Sequence, residues 1–598
     1  MQNETFRHCS ILFLLAIVLY LTNLGGSVLW DIDEARFASS AAELLRSGNW
    51  IVPQLNGEVY GTKPILMFWF MMLSYQIFGI NEFAARFPAA CFATATLFLT
   101  YRVGSLFFDR KTGFWAAVAL SVSLLFSVEA RGALPDSPLT FFVALALYVW
   151  ACGTFQRTTE STLQLRVEGR YYPKETWRIV AIYLVMGIGV LMKGPLACVV
   201  PTAILGMFLL LKRLPDQILP EPRIYYEKCG QYFHRVLRPF WPVHFLRTVW
   251  FMRPITAIAA ISVVALPWYL LAGWKTGWFT PGGYLYEFLY VNNFQRATRP
   301  FDGRSSLLLY NPLFFYPVSI LFGFFPWSLF TIPAVWESVK QFRAKTPQRD
   351  GLLFLFCWSL VWVGCFTVAA TKLPSYIVPM YPAFALLIGV YIRNWTEGKT
   401  LVESWWSKIV FRVGIGVGIA IILVGSLLVG FLVSFGEAYI PVMLGLILFV
   451  GCTWCLISLR SESPVATLVR FTFLAAFFTG FFHVVGAERI STYHPARAIG
   501  AAVRERQAEA KDKPIRVVVY RCFQQSWVFY AKRPFECFEG TTEDLSKLLD
   551  QDRPEIVLFP ASLINELTIP PEYEPRSFRD SNVPKRTHLV MLVSQPEP

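Results

Sequence analysis

The chain has 598 residues, of which 55% are hydrophobic and only 16% charged, with 53 Phe and 20 Trp. So little polar side chain cannot cover soluble domains of this size, which excludes a wholly water-soluble protein. The net charge of +14 would also suit a nucleic-acid binder, but the basic residues gather in alternate loops between apolar runs, a pattern that membrane topology explains without a nucleic-acid partner.

A spanning helix needs about 20 mostly apolar residues, and about 13 such runs follow one another along the chain. They lie near 8–26, 84–107, 112–128, 134–153, 178–192, 195–212, 254–273, 312–333, 352–370, 374–392, 409–433, 438–458 and 466–486. Arg7 and His8 precede the first run as in a secretory signal, but no small-x-small cleavage site comes before Trp30, so this run is expected to stay as an anchor. Lys and Arg mark cytoplasmic connections. Here they cluster at Arg102, Arg110 and Lys111, at Arg157 to Arg178, at Lys212 to Arg253, and at Lys340 to Arg349. These loops then face the cytoplasm, the N-terminus is inside, and an odd number of spans puts the C-terminus outside.

The chain is expected to divide into a membrane region, residues 1–488, and a soluble extracytoplasmic tail, residues 489–598. The tail has strand-like runs at Ile515–Tyr520, Glu555–Phe559 and His588–Val593 and a helix-like run at Thr542–Leu549, the pattern of a small α/β domain. Most cysteines sit in apolar runs and read as small buried hydrophobes, Cys452 and Cys455 included despite their C-x-x-C spacing. Cys522 and Cys537 fall in the outer tail, where an oxidising compartment would permit a disulfide.

The outer loops are of unequal length, and residues 31–83 are the most conspicuous. Within them Asp31–Gly48 is amphipathic with a glycine stop, and Pro64–Gly79 is apolar but short for a span. Both are expected to be interfacial helices. Ionisable residues sit against apolar sequence at the outer ends of spans: Asp33, Glu34, Arg36, Lys63, Asp136, Lys193, Arg296 and Lys372. Charge at membrane depth is expensive and commonly marks a site. Asp31 and Glu34 have the spacing of a capping box and read as helix-capping or supporting residues, which leaves Asp33 unexplained. Lys63-Pro64, Lys193-Gly194-Pro195 and Lys372-Leu-Pro-Ser-Tyr376 repeat one theme, a lysine at the outer mouth of a span. Each alone reads as a snorkelling anchor, whereas together they suit a phosphate or diphosphate.

Asp33-Glu34-x-Arg36-Phe37-Ala38, Ser47-Gly48-Asn49-Trp50, Leu55-Asn56-Gly57 and Lys63-Pro64 resemble the membrane glycosyltransferases that move 4-amino-4-deoxy-L-arabinose onto lipid A, which are related to the protein O-mannosyltransferases. Asp136, Lys193-Gly194, Gln295-Arg296, Pro326-Trp327 and Lys372 to Tyr376 extend the match, which is weak in the tail. The resemblance implies an α-helical multi-pass fold with interfacial helices in a catalytic first outer loop, an undecaprenyl-phosphate sugar donor and an inverting transfer. It assigns Asp33 and Asp136 to catalysis. Arg36, Lys63, Lys193, Arg296, Lys372 and Tyr376 fall to the carrier phosphate and its surroundings. In the aminoarabinose enzymes an acid before the Lys-Pro pair and a His in a later outer loop hold zinc. Here Thr62 and Asn293 stand in those places, and none of the six His lies in either loop, so no zinc or other cofactor is expected.

These readings converge on a transferase of the cytoplasmic (inner) membrane that uses a polyprenyl-phosphate sugar and a lipid or glycan acceptor such as lipid A, with the active site on the periplasmic side. A polyprenyl-phosphate-mannose-type protein or glycan transferase is the alternative. A lipid-linked sugar transporter is more remote, because it predicts repeated halves and midplane charges, and no repeat is visible.

Overall fold

The computed structural model describes residues 2–31, 33–157, 163–212, 241–295, 312–403, 405–432, 435–461, 463–510, 513–579 and 588–594. Among the described residues ten helices are long and apolar enough to span a membrane: Asn3–Leu21, Glu82–Phe107, Asp136–Thr154, Thr176–Lys193, Pro254–Lys275, Arg349–Val368, Pro374–Thr396, Trp405–Phe431, Tyr439–Arg460 and Pro464–Ala487. The run expected at 112–128 is a broken pair, Arg110–Ser121 and Leu124–Ala130, bent by 71°. The run expected at 312–333 bends by 118° between Phe314–Gly323 and Trp327–Arg343, and its second arm continues well past residue 333. Leu196–Lys212 accounts for the remaining expected run but has only 17 residues.

Local chemistry sets several helix starts. Asn81 accepts from Ala84 N and Asp109 from Thr112 N, each capping the helix that follows. Small residues let spans cross closely: a Cβ on Gly418 would stand 2.8 Å from Gly445 O, so larger side chains there would push the two helices apart.

In the loop of residues 31–83, helix Asp33–Ser47 buries Ala35, Phe37, Ala38, Ala41, Ala42 and Leu44, the apolar face expected of it. A two-residue hairpin, Gln54–Leu55 with Glu58–Val59, leads to helix Leu66–Phe78. Glu43 ties hairpin to helix by accepting from Asn56 N at 2.8 Å and Gly57 N at 3.3 Å. Burial pushes its carboxyl upward against these two bonds.

The tail carries a five-stranded sheet in the order Glu536–Phe538, Val517–Tyr520, Ile556–Pro560, His588–Ser594, Tyr573–Arg579. The first three strands are parallel, His588–Ser594 runs against them, and Tyr573–Arg579, antiparallel to His588–Ser594, points the same way as the first three. Thr541 and Asp544 form a reciprocal capping box on helix Thr542–Gln551. Cys522 and Cys537 are thiols, not a disulfide: Cys537 lies opposite Val519, and Cys522 is already past the end of that neighbouring strand.

The tail does not hang free. Trp527, Val528, Phe529 and Phe535 share one hydrophobic cluster with Ala35, Phe37, Ala38 and Met71 of the first loop. Hydrogen bonds cross the same boundary, from Leu29 N to Tyr530 Oη at 3.0 Å, from Ser39 Oγ to Gln525 O at 3.1 Å, and between Asn56 and Phe535 in both directions at 2.8 and 2.7 Å.

Candidate active site

Asp33 is the first residue of helix Asp33–Ser47, where the positive end of the helix dipole favours an acid. It is exposed, and Arg36 one turn later is half-buried. Among the described residues no hydrogen bond or ion pair engages either side chain, so both remain available to a ligand.

Their scaffold is a buried ion pair. Glu34 receives Arg86 Nε at 2.6 Å and Nη2 at 2.8 Å, and also accepts from Trp30 N and Ala133 N, both at 2.9 Å. Arg86 donates further to Leu24 O, Ser27 O and Val28 O, each at 2.9 Å. All five guanidinium N–H groups are thereby used. Arg131 fastens the neighbouring backbone at Leu19 O, Thr22 O and Asn23 O. Burial, helped by Arg86, pulls its guanidinium down to about 10, which leaves it charged at neutral pH.

The expected capping box is corrected here. Glu34 reaches back to Trp30 N rather than to Asp31 N. Asp31 accepts instead from Ser526 N at 2.9 Å and Ser526 Oγ at 2.5 Å and lies 3.3 Å from His494 Nε2. Ser526 is in the first turn of helix Gln525–Ala531, so Asp31 caps a helix of the tail, far away in the chain, whose free amides the folded tail brings to its carboxylate.

Asp136 begins one span and Lys193 ends another, and the two meet as an ion pair at 2.5 Å with side chains 8% and 9% exposed. Lys193 Nζ also lies 5.5 Å from the centroid of the Tyr376 ring. Three residues singled out in separate segments thus form one cluster. Lys63 is half-buried at the mouth of helix Leu66–Phe78, and its carbonyl accepts from Tyr284 Oη at 2.7 Å. Lys372 is buried and donates to Ala369 O at 2.7 Å. That carbonyl ends helix Arg349–Val368, so this lysine is occupied by the negative end of a helix. Arg296 lies outside the described residues.

Glu129 was not singled out from sequence. It is buried at the end of Leu124–Ala130, and its Oε2 has no hydrogen-bond partner among the described residues. Asp136, Lys193, Asp33 and Glu34 are all within electrostatic range of it. The available signal was an acid closing an apolar run seven residues before Asp136, which is costly unless it has a task.

Thr62 and Asn293 offer a hydroxyl and a carboxamide where the resemblance implies zinc ligands, and both are poor donors to that ion. Thr62 Oγ1 is buried without a hydrogen-bond partner among the described residues, and Asn293 Nδ2 donates to Phe288 O at 2.6 Å, back along its own helical segment. No group of three His, Cys, Asp or Glu at metal-holding distance occurs among the described residues.

Residues 62–229 match the model of the dolichyl-phosphate-mannose-protein mannosyltransferase family. An uncharacterized protein of Aquifex aeolicus is 28% identical over 63% of this chain, and the chain spans 62% of that relative's length. The undecaprenyl phosphate-alpha-4-amino-4-deoxy-L-arabinose arabinosyl transferase of Yersinia enterocolitica is 28% identical over 74% of this chain and 70% of its own. The crystal structure of ArnT from Cupriavidus metallidurans bound to undecaprenyl phosphate superposes with a TM-score of 0.70 at 18% identity, covering 98% of this chain and 99% of that one. Fold and site together define a multi-pass membrane protein with the fold of ArnT, its charged residues gathered where the spans meet the structured loop of residues 31–83. The chain is thus similar over most of its length to the aminoarabinose transferases and, over residues 62–229, to the protein mannosyltransferase family.

Proposed function

We propose that the chain is an inverting glycosyltransferase that moves a sugar from a polyprenyl phosphate to an envelope acceptor on the outer face of the cytoplasmic membrane. The observation that carries this reading is the pair Asp33 and Arg36, without hydrogen-bond or ion-pair partners among the described residues, on a helix anchored by Glu34 and Arg86 and close in the fold to the cluster of Asp136, Lys193 and Tyr376. The acceptor oxygen attacks the anomeric carbon opposite the carrier. The bond from that carbon to the phosphate oxygen breaks, and its electron pair leaves with the polyprenyl phosphate. A hydroxyl acceptor gives its proton to Asp33, whereas a phosphate acceptor is already ionised and Asp33 then faces the positive charge developing on the sugar. Arg36, Lys63 and Lys193 stabilise the leaving phosphate, Arg296 and Tyr376 complete its surroundings, and Asp136 orients Lys193.

The match to a mannosyltransferase family model over residues 62–229 favours a second reading, a transferase using polyprenyl-phosphate mannose with a protein or glycan acceptor. Supplying the purified protein with undecaprenyl-phosphate aminoarabinose or polyprenyl-phosphate mannose, with lipid A or envelope proteins as acceptors, separates the two by the mass added. No transfer from any polyprenyl-phosphate sugar would sink both.

The reading includes catalysis without zinc. Activity is expected to survive prolonged dialysis against a chelator, with metal content measured beside it. Stoichiometric zinc lost together with activity contradicts the assignment of Thr62 and Asn293. It also includes an outer tail. A fluorescent reporter that matures only in the cytoplasm should stay dark when fused after Pro598, and a bright fusion reverses the orientation.

A further inference from the structure

Between the loop of Lys63 and the segment after Lys193 lies a buried aromatic stack. Tyr284 is 0% exposed, its ring lies 5.9 Å from that of Phe288 at 18°, and it meets Trp268 edge-on at 5.1 Å. Each ring braces a different part of the site. Tyr284 Oη donates to Lys63 O at 2.7 Å, and Trp268 Nε1 donates to Ile51 O at 2.9 Å. Phe288 fits under Gly194, the residue after Lys193, where a Cβ would stand 2.8 Å from Phe288 Cζ. Gly61, two residues before Lys63, is packed so tightly that a Cβ on it would collide with Cβ of Glu287 and lie 3.3 Å from Tyr284 O. Burial pushes the Tyr284 phenol far up, so it keeps its proton and remains a donor at any working pH.

We propose that Tyr284, resting on Phe288, is a positioning residue that sets the spacing of Lys63 and Lys193 for the donor phosphate by protein contacts alone. The inference rests on the reading of those lysines as phosphate ligands. It follows from geometry: one rigid stack touches the backbone at Lys63 and beside Lys193, two segments whose cations must meet one anion. The two outer loops need no metal bridge, because a hydrogen bond at Lys63 and a glycine-sized contact at Gly61 already join them.

The test measures binding of undecaprenyl phosphate to the full-length protein in detergent micelles, together with donor KM, kcat and thermal stability. Tyr284→Phe removes only the hydroxyl. It should weaken undecaprenyl phosphate binding and raise donor KM by about threefold to tenfold, the worth of one buried hydrogen bond, with kcat within about twofold. Gly61→Ala should act in the same direction by separating the loops, and adding Glu287→Gly should restore binding to within about threefold of wild type, because it removes the colliding Cβ. This rescue distinguishes positioning from general loss of fold, and it keeps the test informative should Tyr284→Phe express poorly. Lys63→Ala is the control for the underlying reading. If Lys63→Ala leaves binding unchanged, the phosphate assignment fails and takes the inference with it. If Lys63→Ala weakens binding while Tyr284→Phe and Gly61→Ala both bind like wild type, the assignment stands and the positioning role is overturned. Failure of Glu287→Gly to rescue Gly61→Ala also overturns it.

Discussion

Asp33→Asn should give a folded protein whose turnover falls by about 10²–10⁴-fold, the contribution of a positioned acid or base. The side chain keeps its size and its place at the start of helix Asp33–Ser47, and since no bond holds it among the described residues, removing its charge costs the fold only the helix-dipole contribution, about 0.3–1 kcal/mol. Asp31→Asn makes the contrast. Asp31 is buried against Ser526 and His494 and touches the tail, so its loss should lower stability by about 1–3 kcal/mol while turnover stays within a few-fold. Transfer from a polyprenyl-phosphate sugar in liposomes, with melting temperature recorded on the same preparations, reads both. Wild-type turnover in Asp33→Asn with near-zero turnover in stable Asp31→Asn would exchange the two roles.

Glu34→Ala should be the most destabilising single change in the first loop. It leaves the Arg86 guanidinium buried with a charge and two N–H groups unanswered, and breaking such a pair from one side costs about 3–5 kcal/mol. Arg86→Met should do the same from the other side. It also frees Leu24 O, Ser27 O and Val28 O, which hold the entry to the loop. Glu34→Ala combined with Arg86→Met should be less destabilised than the sum of its parts, because no charge is then stranded. Melting temperatures of the four proteins check this, and strict additivity would contradict a coupled pair.

Much of the membrane region was legible in the chain. Apolar length alone locates the spans, because a helix in lipid must be long enough to cross and must satisfy its own backbone. Composition does not show where a run breaks, so the bends of 71° and 118° were not foreseen. In the tail, the strands Glu536–Phe538 and Tyr573–Arg579 escaped notice. One is very short and the other is largely polar and lies at the sheet edge, so neither shows the apolar alternation that marks a half-buried strand.

The site divides in the same way. Asp33, Arg36, Lys63, Asp136, Lys193 and Tyr376 could be singled out because ionisable or polar groups beside apolar sequence are costly and motif spacing is local. Their pairing is not local. The capping box of Asp31 and Glu34 was a sound reading of four consecutive residues, yet each carboxylate found stronger donors elsewhere, Glu34 at Arg86 and Asp31 at Ser526. The sequence by itself determined that the chain lives in a membrane, which residues lie at the mouths of its spans and which loop carries the charges. Only the tertiary structure decided which of those charges are neutralised by each other and which stay open. Ion pairs and caps are settled by which groups share a dehydrated space, and folding brings together segments as distant as Asp31 and Ser526 to share one.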